Sequence, residues 1–140
     1  MMITSRAAAA IAGIGLALSL SACSSSESVE DANAAYCEGA TAVQTQFEEL
    51  KSLIESGAPT EALKEQRDLV QSAIQANSVP LSQLQDSVKT EIEAANDAFD
   101  EAVAAIPDDA TPAEAASSYT AAIEAYDTAV TEVESELGCS

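Results

Sequence analysis

The chain has 140 residues, with 24 acidic against five basic side chains, 4% aromatics, no tryptophan and no histidine, for a formal net charge of −19. A surface of that sign repels nucleic acid and anionic headgroups, which excludes nucleic-acid binding. The missing histidine removes the commonest general base and metal ligand, and with it Ser-His-Asp, Cys-His and di-iron Glu-x-x-His chemistry.

The chain opens on Met1 to Arg6, a short basic start, followed by Ala7 to Leu20, an uncharged apolar run broken by Ser19. Such a start, an apolar middle and small residues before a cut make a signal peptide over residues 1–22. The alternative, an uncleaved spanning helix, needs about 20 apolar residues, and this run is shorter and holds Gly13 and Gly15. Leu20-Ser21-Ala22-Cys23 resembles the lipobox of bacterial lipoproteins. The resemblance implies cleavage between Ala22 and Cys23, a diacylglycerol in thioether linkage on the Cys23 thiol, and anchoring at the outer face of the bacterial cell membrane. Two acyl chains hold durably where one holds weakly. Beyond Cys23 there remain four basic and 24 acidic side chains, a net charge of −20. That length suits one domain.

Cys23 to Ser28 form a short Ser-rich tether, and the bundle domain spans residues 29–140. From Val29 the first helix carries Tyr36, Ala40, Val43, Phe47, Leu50 and Ile54 at alternating spacings of four and three, an amphipathic stripe. Gly57 and Pro59 end it. A second helix, about Glu61 to Ala76, has Thr60 as its expected N-cap and a weaker stripe of Leu63, Val70 and Ile74. Asn77-Ser78-Val79-Pro80 is a stop followed by a start, since a proline biases the residue before it away from the helical region. A third helix then carries Leu81, Leu84, Val88, Ile92, Ala95, Phe99, Val103 and Ile106, closed by Pro107 to Ala110. Thr111-Pro112-Ala113-Glu114 is a capping box with proline in the first helical position. The last helix follows with Ala116, Tyr119, Ile123, Tyr126, Val130, Val133 and Leu137, and Gly138 stops it.

With Cys23 lipidated, Cys37 and Cys139 remain, and an oxidising compartment joins them most simply in a disulfide. Two free thiols, or pairing between chains, are the alternatives. Cys37 lies near the expected start of the first helix and Cys139 just past the end of the last. An even number of antiparallel helices brings those points together, whereas an odd number separates them by about 40 Å at 1.5 Å per residue. A disulfide needs its Cα atoms within about 7 Å. The expected fold is therefore all-α, an antiparallel up-down four-helix bundle with one disulfide from the start of helix 1 to the end of helix 4.

Carboxylates crowd at Glu93, Asp97, Asp100 and Glu101 and at Glu132, Glu134 and Glu136. Calcium needs six to eight oxygens converging from a flexible loop, and these positions lie on helices opposite the stripes, so a solvated face is the expectation. No metal, no cofactor and no enzymatic activity are expected. Beyond the lipobox, the Ala-rich acidic helices and terminal disulfide look like small actinobacterial lipoproteins. The expected function is contact with an unidentified envelope protein by a lipid-anchored monomer. A carrier or sensor for a cation or small ligand, and an exclusion or immunity lipoprotein of a mobile element, are the alternatives. On so acidic a surface Lys51, Lys64, Arg67 and Lys89 are the exceptions. The first three fall from the end of the first helix through the second, so the second helix and its flanking turns are the expected contact face; the alternative is that these cations only offset neighbouring acids such as Glu61, Glu65 and Asp68.

Overall fold

The structure, a computed structural model, describes residues 25–139. It contains four long helices and one short one: α1 (Ser25–Glu55), α2 (Thr60–Ala76), α3 (Ser78–Ser82), α4 (Asp86–Ala104) and α5 (Pro112–Leu137). Among the described residues there is no strand. The stripes read from the sequence are the core: Tyr36, Val43, Phe47, Leu50, Leu63, Val70, Ile92, Phe99, Tyr119, Ile123 and Val130 are all nearly sealed from solvent. A helix whose apolar residues recur every three or four positions can bury only that face, and short connections fold successive helices back against it.

The helix ends follow local chemistry. At the end of α1, Gly57 takes φ 69°, the Gly57 amide donates to the Ile54 carbonyl and the Ala58 amide to that of Leu53. That is the Schellman pattern, and the left-handed residue in it favours glycine. The expected capping box opens α5: the Thr111 hydroxyl accepts from the Glu114 amide while the Glu114 carboxylate accepts from the Thr111 amide at 2.9 Å.

Several expectations are corrected. Helix α1 begins at Ser25 instead of Val29, so Ser25 to Ser28 continue the helix where a tether was expected. Thr60 is the first residue of α2, not its cap. Pro59 holds the cap position without a side-chain bond, and the Thr60 hydroxyl donates to the Ala110 carbonyl in the α4–α5 connection. The single third helix is two. Val79 is helical although it precedes Pro80. Pro80 itself lies in the first turn of α3, where its missing N–H leaves no bond unmade. The chain then breaks at Gln83 to Gln85 before α4. Leu81, Leu84 and Val88 keep a three–four spacing across that break, so periodicity alone could not reveal it.

Helix α5 packs against α1, α2 and α4, while α1 pairs most extensively with α2 and α4 with α5. Cys37 and Cys139 are joined, with Cα atoms 5.2 Å apart, as the even number of long helices requires. The bond staples the first half of α1 to the residue after α5, the pairing of the first and last long helices that was expected. Cys37 lies twelve residues into α1, about 18 Å along its axis, because the helix extends upstream and buries Ala32 beyond the staple. The interior divides into two clusters. A central one surrounds Phe47, Phe99 and Tyr126. A smaller one at the disulfide end holds Ala32, Tyr36, Ala40, Leu81, Leu84, Ile92 and Val133.

Candidate functional site

The proposed anchor residues, Leu20 to Cys23, with the Ala22–Cys23 cleavage site, lie outside the described residues. The other cysteines are positioned by local geometry. Gly138 caps α5 in the left-handed region at φ 76°, and the Cys139 amide donates back to the Glu134 carbonyl. This turn folds Cys139 against the side of α1, where Cys37 meets it.

The three cations expected to mark a contact face each hold a carboxylate. Lys51 Nζ lies 2.8 Å from Asp127 Oδ2 and ties α1 to α5; Lys64 Nζ lies 3.1 Å from Asp108 Oδ1 and ties α2 to the α4–α5 connection. The Arg67 guanidinium contacts Asp68 at 2.6 Å. The side chains of Lys64 and Arg67 are only 20% and 25% exposed, so they lie along the bundle with little of their length in solvent. The weak stripe of α2 also has an explanation. Gln66 takes the inward position between Leu63 and Val70, and its amide donates to the Gln46 carbonyl and to the side chains of Gln46 and Glu49. A buried amide so satisfied packs at a position of the stripe that an apolar residue would otherwise fill.

From the sequence Asn77 is a helix stop, and Gly39 is an unremarked position of the first helix. In the structure Asn77 is buried, and its Nδ2 donates to the Tyr36 carbonyl at 3.3 Å. It lies directly on Gly39, where an added Cβ would come within 2.0 Å of Asn77 Oδ1. Glycine in mid-helix costs about 0.5–1 kcal/mol relative to alanine, and here it makes the room in which α2 ends against α1. The available signal was a glycine inside an otherwise regular helical stripe.

An apolar groove of about 520 Å³ runs between α4 and α5. Ala94, Ala98 and Ala102 form one wall and Ala121, Ala125 and Ala129 the other, over Phe99 and Tyr126. Both alanine sets recur at four or so residues, a second face on each helix beside its core stripe. That spacing is legible in the sequence once alanine is counted as a surface residue as well as a core one. Glu91 is the single charged residue of the lining. Elsewhere the surface is acidic: Glu93, Asp97, Asp100, Glu101, Glu132 and Glu136 are exposed, as expected of a solvated face, while Glu134 is half-buried. Partial burial and the neighbouring Asp127 raise the Glu134 pKa against a lowering hydrogen bond from Gln44, whose Nε2 donates at 2.8 Å.

Among the described residues, no group of three or more Cys, Asp or Glu side chains is arranged to hold a metal ion. Among them, too, no helix is long and apolar enough to cross a membrane. No family model matches the chain, and no curated protein or solved structure matches it either.

Proposed function

We propose that the chain is a lipid-anchored extracytoplasmic protein that works by protein–protein contact at the bacterial cell envelope, through the groove between α4 and α5. The lipobox at Leu20 to Cys23 supports the anchor, and a disulfide between Cys37 and Cys139 accords with an oxidising compartment. The observation that carries the contact reading is the groove itself, six alanines in two parallel rows with one carboxylate, on a chain of net charge −19. Methyl side chains let a third helix approach at the short end of the usual 8–10 Å interaxial range. Glu91 in the lining and Glu132, one turn beyond Ala129, favour a partner helix with small apolar residues flanked by lysine or arginine. A second copy of this chain would bring like charges together.

Photo-crosslinking from position 121 in membranes tests this reading. Adducts should form with a discrete envelope protein and disappear in Ala98→Glu/Ala125→Glu, two exposed helical sites where glutamate is a good helix former. Lys64→Glu/Arg67→Glu should leave them in place. Adducts lost on reversal of Lys64 and Arg67 but indifferent to the groove substitutions would move the contact face to α2. A Cys23→Ala chain should leave the membrane fraction; wild-type protein found soluble with a different first residue would reject the anchor.

A further inference from the structure

A second feature of the interior is independent of the groove. Tyr36 and Val43 of α1, Ile74 of α2, Asn77 at the α2–α3 junction, Leu81 of α3, Ile92 and Asn96 of α4 and Tyr126 of α5 line a cavity of about 10 Å³. That volume admits the centre of one water molecule and nothing larger. Two acceptors belong to residues of its wall: Asn77 Oδ1 and Asn96 Oδ1 are both buried, and neither has a hydrogen-bond partner among the described residues. Asn77 as a whole is 6% exposed. Its orientation is fixed, because only the Nδ2 end can donate to the Tyr36 carbonyl. A buried acceptor left without a donor is unfavourable, and the two residues that carry these acceptors line the same small cavity.

We infer that the cavity binds a single structural water, which donates one proton to Asn77 Oδ1 and the other to Asn96 Oδ1. Two carbonyl acceptors call for a ligand with two donors, and a buried water makes about three hydrogen bonds. A sodium or potassium ion is the wrong ligand here. Hard cations take several oxygens at close range, and Val43, Ile74 and Ile92 supply none. The water bridges the end of α2 to the middle of α4, two elements that the chain joins only through the α3 corner. It thus holds in register the part of the bundle where the helical path is broken.

The experiment is water–protein nuclear Overhauser spectroscopy on the full chain in detergent micelles. The side-chain amide protons of Asn77 and Asn96 should show cross-peaks to water with the sign of a long-lived bound molecule. Asn96→Leu, near in volume but without the acceptor, should abolish the cross-peak at Asn77 while the Cys37–Cys139 disulfide and a cooperative melt persist. Should that variant fail to fold, Asn96→Asp keeps an acceptor in the same place and should retain the cross-peak at Asn77. Absence of a long-lived water signal at both asparagines in the native chain would overturn the inference. So would a signal unchanged in folded Asn96→Leu, or one that exchanging sodium for potassium or ammonium displaces.

Discussion

The two ends of the interior are built on different principles. In the centre, Phe47 meets Phe99 edge-on at 5.1 Å and Tyr126 at 4.9 Å, and Leu50, Leu63, Val70 and Ile123 close around them with no measurable exposure. Apolar packing of that kind needs no covalent help, since each large buried side chain is worth about 1.5–3 kcal/mol of transfer free energy. At the disulfide end the chain turns a broken corner from α2 through α3 into α4, and the buried set thins to two alanines, Leu81, Leu84, Ile92, Val133 and the body of Tyr36. There the structure relies on a staple and on Asn77, lodged against Gly39 with its Nδ2 donating to the Tyr36 carbonyl. Where a regular stripe can be continued, dispersion and the hydrophobic effect suffice. Where the backbone must bend, directional bonds replace them.

The comparison can be broken most forcefully at the centre. Phe99→Ala removes an aromatic that touches both Phe47 and Tyr126, and should lower stability by about 3–5 kcal/mol. Denaturant unfolding should show the loss with an unchanged m-value, as a cooperative transition requires. A loss under 1 kcal/mol would mean the centre is not the principal source of stability.

Removing the staple should cost less and act locally. The cysteines are 102 residues apart in sequence, a loop length for which chain entropy sets a ceiling of about 4–5 kcal/mol, with about 2–4 typical. In Cys37→Ser/Cys139→Ser, hydrogen exchange should rise most in residues 32–40 and least around Phe47 and Phe99. Uniform acceleration across both clusters would show that the ends are one cooperative unit. Freshly purified native protein with two free thiols would remove the staple from the account altogether.

The finest probe is Gly39→Ala. Alanine improves helix propensity by about 1 kcal/mol, so on an unconstrained helix the change would stabilise. Because the new methyl would meet Asn77, overpacking should outweigh that gain and give a net loss of about 1–3 kcal/mol. Pairing it with Asn77→Ala should recover part of the loss in a double-mutant cycle. A stabilised single variant would show that Asn77 can withdraw from α1 without penalty.

Local signals carried much of this architecture. The stripes from Tyr36 to Ile54 and from Tyr119 to Leu137, the Thr111 capping box, and the Gly57 and Gly138 stops depend only on residues within one turn of each other. The even helix count and the Cys37–Cys139 pairing followed because parity is a property of the chain path and not of side-chain detail. The sequence alone also excluded histidine-dependent chemistry and placed the charge. Other features were decided by elements distant in sequence. Thr60 gave up a cap for a bond to Ala110, fifty residues away, and Gln66 became a core residue because Gln46 and Glu49 on α1 could satisfy its amide. Gly39 mattered only once Asn77 arrived. The alanines of α4 and α5 became a groove only when their helices packed together with those methyl groups left outside. Propensities and spacings describe what a segment can do by itself, whereas burial, close approach and polar satisfaction are properties of pairs of segments that only tertiary packing brings together.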